Sequence, residues 1–237
     1  MFELVMFDLD GTLVDTAPEI TDAVNAQLAD LRLPPVAESS VRRWIGQGAR
    51  RTLEQALQNS GRYRALPDGN VGTRLVKEFM RHYEAHCGTR SRVYDGVGQT
   101  LRVLSGDGVK LAVVSNKEER YAREVIAAHD LLDYFDLLVS GDSLPVKKPD
   151  PLPIRHCMER LGVKPARALM IGDSEIDVAA ARNAGVAVWA VSYGYAEAQA
   201  IKSAKPDRII NSFAAITDAF MDAKARRPHS ETIAVLE

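Results

Sequence analysis

The chain has 237 residues, of which 46% are hydrophobic and 26% charged, with a formal net charge of −2. That length fits one large domain, or one domain carrying a smaller insertion, and the balance excludes an intrinsically disordered chain. Near-neutral charge excludes a dominant attraction to nucleic acid or to an acidic membrane surface.

Three arginine pairs, Arg42-Arg43, Arg50-Arg51 and Arg226-Arg227, are separated in sequence and not interleaved with aromatics. They read as solvated faces and a basic tail rather than a nucleic-acid surface. The two cysteines, Cys87 and Cys157, make no metal-ligand pattern and are expected as free thiols in a reducing compartment. The opening apolar stretch carries Glu3 and ends at Asp8, so it is not a signal peptide. No run approaches the roughly 18 apolar residues of a membrane span. The expected location is the cytoplasm, with no nucleic-acid or membrane partner.

The first apolar run, Leu4-Val5-Met6-Phe7, is too short for a helix and reads as a buried strand. Asp8-Leu9-Asp10-Gly11-Thr12 leaves it: two carboxylates entering a turn that Gly11 permits. From about Pro18 to Val93 there is no buried-strand run. Helical patterns occupy Ile20 to Leu31, Val41 to Trp44, Ala49 to Leu57 and Val71 to Tyr83, broken by Pro34-Pro35 and the glycine-bearing stretch around Gly61 to Gly72. This is expected to be an α-helical insertion.

A helix is expected over about Val97 to Leu104, then a strand at Leu111 to Val114 followed by Ser115-Asn116-Lys117. A hydroxyl, an amide and backbone N–H groups at a helix start suit an anion, and equally suit a plain N-cap. A helix over Glu118 to Ala128 and a strand at Leu137 to Val139 follow. Then comes Val146-Lys147-Lys148-Pro149-Asp150-Pro151, where a lysine before proline on extended backbone can aim an ammonium at a phosphate. A helix from Pro153 to Leu161, stopped by Gly162, leads to a strand at Leu169 to Ile171. Gly172-Asp173-Ser174-Glu175-Ile176-Asp177 comes next, an acidic cluster that suits a hard cation such as magnesium or a helix cap. A helix over Asp177 to Asn183 precedes strands at Val186 to Val191 and Ile209-Ile210. Residues 225–237 read as a polar, frayed tail.

Strand–helix alternation implies a parallel sheet covered by helices on both faces. Such sheets bind ligands beyond the carboxyl ends of their strands. Each polar cluster taken singly has a structural explanation. Four of them, each after a distinct strand and on one side of the sheet, point jointly to a functional site.

Asp8-Leu9-Asp10-Gly11-Thr12, Ser115-Asn116, Lys148 and Gly172-Asp173-Ser174 with Asp177 resemble, in order and separation, the four motifs of the haloacid dehalogenase-like superfamily. The resemblance covers the chain to about Phe220. It implies an α/β fold: a Rossmann-like parallel sheet core at 1–15 and 96–237, with an inserted helical cap domain at 16–95. Within the superfamily, three stretches are similar to the phosphoglycolate phosphatase family. They are Val41 to Ala49 of the cap, Lys147 to Pro151, and Val191 to Tyr195 followed by Lys205-Pro206-Asp207. The family's cap pattern is Gly-Asn-Gly, and Gln47 stands here between Gly46 and Gly48.

The resemblance implies a magnesium-dependent phosphatase acting on a small phosphate monoester, most closely 2-phosphoglycolate. Asp8 would be the nucleophile and Asp10 the general acid and base. Mg2+ would be held by Asp8, the Asp10 backbone carbonyl and Asp173, supported by Ser174 and Asp177. Lys148, Ser115, Asn116 and Thr12 would hold the phosphate, with Gly46 and Gly48 admitting cap backbone to the ligand. Arg50 or Arg51 is a candidate reader of the substrate carboxylate. Alternatives are a phosphatase of sugar or amino-sugar phosphates, a phosphomutase, and a non-catalytic binding module. Oligomeric state is not legible in the sequence.

Overall fold

The computed structural model describes residues 2–225, so the tail expected beyond residue 225 lies outside the described residues. The chain runs β1 (Leu4–Phe7), β2 (Val14–Asp15), α1 (Ala17–Asp30), α2 (Glu38–Arg42), α3 (Ala49–Asn59) and α4 (Gly69–His86). It continues with β3 (Arg92–Val93), α5 (Val97–Gly106), β4 (Lys110–Val114), α6 (Glu119–Ala128), β5 (Leu137–Val139) and α7 (Leu152–Leu161). The last elements are β6 (Ala168–Gly172), α8 (Glu175–Ala184), β7 (Ala187–Val191), α9 (Ala198–Ala204), β8 (Arg208–Ile210) and α10 (Ala214–Ala225).

Six strands form one sheet in the order β5-β4-β1-β6-β7-β8, and every pairing is parallel. Period-two alternation divides each central strand between two cores. Leu4 and Met6 of β1 join Ala112, Val114, Met170 and Val188 on one face. Ile154, Cys157 and Met158 of α7 and Val178 and Ala181 of α8 cover that face. Val5 and Phe7 point to the other, with Leu111, Val113, Leu169 and Ile171, beneath α5, α6 and α10. All four β1 residues are fully buried, which explains why that strand reads as a continuous apolar run.

From β1 the chain builds outward to β4 and β5, then returns to the far side of β1 for β6, β7 and β8. The strand order therefore reverses at β1, and the crevice above its carboxyl end is where such a sheet takes ligands.

The helices α1 to α4 lie between β1 and the rest of the sheet in sequence, as the absence of strand runs predicts. α1 and α4 pack along each other, and Leu28, Leu53, Leu57 and Phe79 join the same apolar cluster as Phe7 and Val113. α2 begins three residues earlier than the expected Val41, because Glu38 in its first turn pairs with Arg42 at 2.8 Å. The chain leaves and re-enters the sheet layer through β2 and β3, an antiparallel pair that sets Asp15 opposite Arg92. Two-residue strands are too short to leave a sequence pattern. No helix of the described residues is long and apolar enough to cross a membrane.

Candidate active site

Register brings three of the four polar clusters together. Phe7 pairs with Val113 on one side and Ile171 on the other, so the residues that follow β1, β4 and β6 emerge side by side. The Asp8 amide extends the pairing, donating to the Ile171 carbonyl at 2.9 Å. The fourth cluster reaches in from the loop after β5, where Lys148 is 3% exposed.

One carboxylate oxygen from each of Asp8, Asp173 and Asp177 lies within 4.8 Å of the other two, and all three residues are buried. The Lys148 ammonium sits against them, 3.1 Å from Asp8 Oδ1 and 2.6 Å from Asp177 Oδ1. Burial pushes the Asp8 carboxyl up to about 6, against the pull of Lys148 and with the help of Asp177 and Asp10. Asp173 is pushed well above the carboxylate range, first by burial and then by Asp177 and Asp8. Burial opposes the charge of Lys148, but Asp177 and Asp8 outweigh it and raise its pKa. Three acids facing one ammonium leave negative charge to be neutralised. Oxygen donors without Cys or His fit a hard divalent cation.

Asp177 also holds the start of α8. Ser174 caps that helix, and Asp177 Oδ2 accepts from the Ser174 amide at 3.1 Å and its hydroxyl at 2.7 Å, a capping box. Helix capping and the acid cluster thus share this residue: one oxygen of Asp177 closes the helix and the other faces Lys148.

The backbone around Asp173 is tight. Gly11 has φ +81°, and a Cβ built there would stand 2.3 Å from Asp173 Oδ2. Gly11→Ala should therefore lower stability by about 1–2 kcal/mol from the left-handed backbone alone, with the clash adding to it. A denaturant-midpoint comparison with wild type measures this.

Asp10 turns its side chain away from the three-acid cluster. Its Oδ1 accepts from the Thr16 hydroxyl at 2.7 Å, and Lys117 Nζ lies 3.1 and 3.3 Å from its two oxygens. Ser115 is 5% exposed and lines the cavity above Asp8. α6 begins only at Glu119, so Ser115 and Asn116 precede the helix and do not cap it. Asn116 is a strut: its amide donates to the Lys148 carbonyl at 2.9 Å and to the Gly46 carbonyl at 3.0 Å, leaving buried Oδ1 unpartnered.

The loop after α2 closes the cavity. Gly46 and Gly48 line it with Asp8, Asp10 and Ser115, and Ile45, Phe79 and Met80 supply an apolar wall. The Lys147 ammonium donates to the Gln47 carbonyl at 3.0 Å. Gly48 has φ +89°, a left-handed backbone that favours glycine there.

Two sets of candidates lie away from this cavity. Thr12 is fully buried, its hydroxyl oxygen is enclosed without a partner, and it does not line the cavity. Arg50 and Arg51 are exposed on α3 and do not line the cavity either, and Arg51 pairs with Glu54.

Three residues escaped the sequence reading. Lys117 grips Asp10. Tyr195 donates its amide to Asp173 Oδ2 at 2.6 Å, while its hydroxyl oxygen accepts from the amides of Thr16 at 2.7 Å and Ala17 at 3.0 Å. It thereby ties an acid of the cluster to the start of α1. Thr16 fixes Asp10. Lys117 and Tyr195 each sit inside a stretch with chemical character, whereas Thr16 carries no signal beyond a common helix-start residue.

A parallel sheet that presents acids after adjacent central strands, with a buried lysine among them and a cavity above, is the framework of a hydrolase. The chain belongs to the haloacid dehalogenase-like hydrolase family, whose model matches residues 5–191. It is similar to a phosphoglycolate phosphatase of Nitrosospira multiformis, 40% identical over 208 residues, covering 88% of this chain and 91% of the relative. A phosphoglycolate phosphatase of Thiobacillus denitrificans is 37% identical over 210 residues, covering 89% and 92% respectively. Among solved structures, one described as a predicted phosphoglycolate phosphatase from Haemophilus somnus superposes with a TM-score of 0.86 at 34% identity. It covers 92% of this chain and 98% of that one.

Proposed function

We propose that the chain is a magnesium-dependent phosphatase that hydrolyses 2-phosphoglycolate to glycolate and phosphate through an aspartyl-phosphate on Asp8. The observation that carries it is the grouping of buried Asp8, Asp173, Asp177 and Lys148 beside a small cavity closed by cap backbone. The names of the relatives support the substrate. Residues 1–15 and 96–237 would form the core and 16–95 the cap, with the β2–β3 pair at the crossing. Buried free Cys87 and Cys157 fit a cytoplasmic setting.

The Leu9 amide and Lys148 both engage Asp8 Oδ1, leaving Oδ2 for attack. Asp8 forms a bond to phosphorus as the bond to the ester oxygen breaks. Asp10 gives its proton to the departing alkoxide, then takes one from the water that attacks the aspartyl-phosphate and frees Asp8. Lys148 and the Ser115 hydroxyl hold the non-bridging oxygens. Asp8, the Asp10 backbone carbonyl and Asp173, with Ser174 and Asp177 in support, would hold magnesium, which would supply the charge neutralisation that lets two anions meet. Gly46 and Gly48 bring the lid close enough to exclude bulk water.

Phosphate release from a panel of esters tests this. With magnesium, kcat/KM for 2-phosphoglycolate should exceed that for sugar and amino-sugar phosphates by at least tenfold, and chelation should abolish turnover. A sugar phosphate turned over better would reassign the substrate. Turnover surviving chelation would remove the metal.

A further inference from the structure

The cavity has an end for the phosphate, at Asp8 and Ser115, but the proposed substrate is an anion at both ends. The arginines that sequence offered for the carboxylate lie outside the cavity. Among the described residues that line it with Asp8, one is a cation: Lys117.

Lys117 is built into place. Its side chain is 6% exposed. The ammonium lies 4.5 Å from the centroid of the Tyr83 ring, on α4 of the lid. The Tyr83 hydroxyl donates to Glu19 Oε1 at 2.8 Å, and the Ser91 amide donates to Glu19 Oε2 at 3.1 Å. Ring and acid are both buried, so the face turned to Lys117 is fixed from two helices of the lid. Asp10 is the hydrogen-bond acceptor recorded for the ammonium, at 3.1 and 3.3 Å. An ammonium has three N–H donors. One carboxylate and one ring face leave it capacity for a further acceptor; Ile20, Ile45, Phe79 and Met80 form the apolar part of the cavity wall, and Thr52, Asn116 and Glu118 belong to its polar part.

We propose that Lys117 is the specificity-determining residue that binds the substrate's carboxylate, so that the site selects small phosphate esters carrying an acid on the carbon next to the ester oxygen. This rests on the phosphatase reading and adds the substrate class. A carboxylate on Lys117 lies next to Asp10, and the ester oxygen one carbon away comes within reach of the Asp10 carboxyl. The same cation thus orients the leaving group toward its acid. A neutral substrate would leave a buried ammonium short of an acceptor, the kind of penalty that gives strong discrimination.

The test compares 2-phosphoglycolate with its amide, in which the carboxylate alone is neutralised, in wild type and in Lys117→Met and Lys117→Arg. Wild type should prefer the carboxylate at least tenfold in kcat/KM, mainly through KM. Lys117→Met should erase that preference, and Lys117→Arg should retain part of it. An equal loss on both esters in Lys117→Met, with the preference intact, would assign Lys117 to positioning Asp10 and overturn the proposal. If Lys117→Met does not fold, the arginine variant and the wild-type comparison decide. Wild type that hydrolyses both esters equally refutes the carboxylate role alone. Wild type that hydrolyses neither, nor any other phosphate ester, refutes the phosphatase reading itself.

Discussion

Asp8→Asn should lower phosphate release on the order of 10⁴-fold or more, the scale on which loss of a nucleophile registers. The amide is isosteric, so the contact from the Leu9 amide at 2.7 Å to Oδ1 can persist while the nucleophile is gone. The same substitution should make the metal-free protein more stable. In the fold, burial holds the Asp8 carboxyl up at about 6, above the ordinary 3.8, even after the pull of Lys148. A carboxyl that binds its proton more tightly when folded costs stability once pH exceeds its folded value, and costs nothing below its unfolded value. Asn removes that cost. Without magnesium, Asp8→Asn should exceed wild type by roughly 1–3 kcal/mol at pH 7, with the gap closing as pH falls from 6 to 4. Denaturation midpoints across that range measure it. A variant less stable than wild type at pH 7, or one that still turns over, contradicts the account of Asp8.

The contrast between what sequence does and does not disclose has a physical origin. β1, β4 and β6 are legible because strands buried on both faces read as uninterrupted apolar runs, and β5, half-buried at the sheet edge, is legible from its own short apolar run. The residues after them are legible because polar groups at the end of such runs stand out. α10 is not among the expected elements, although Phe213, Ile216 and Phe220 carry helical spacing and are buried. The β2–β3 pair has no pattern to find. Within the site, Asp8, Asp173, Asp177 and Lys148 come together as their spacing after the strands suggests. Thr12 does not reach the cavity, because adjacency to a motif fixes a residue's backbone but not the direction of its side chain. Lys117 and Tyr195 act across 107 and 22 residues, on Asp10 and Asp173 respectively, and contacts of that kind are set by tertiary packing alone. The lid is the least legible part. Arg50 and Arg51 face water, and two of its contacts to the core run through the backbone carbonyls of Gly46 and Gln47, which no side-chain pattern announces.

Lys148→Met should separate catalysis from metal binding by moving them in opposite directions. Lys148 Nζ lies between Asp8 and Asp177 at 3.1 and 2.6 Å, where it is itself nearly inaccessible. Removing one partner of such a buried pairing leaves uncompensated charge and costs about 3–5 kcal/mol. The metal-free variant should accordingly unfold more readily at pH 7 and recover as pH falls, because burial raises the pKa of both Asp8 and Asp173 and their protonation discharges the cluster. Hydrolysis should fall on the order of 10²–10³-fold, since an ammonium on the transferring phosphoryl group is lost. Magnesium held as proposed would, however, compete with that ammonium for the same carboxylates. With Lys148 gone its affinity should rise, by roughly tenfold for about 1.4 kcal/mol of relieved competition. Calorimetric titration with magnesium and phosphate-release assays on the same preparation distinguish the outcomes. Weaker magnesium binding together with lost activity would mean that Lys148 orders the carboxylates for the ion rather than competing with it. Tighter binding with lost activity would establish that the two cations divide one set of acids between structure and chemistry.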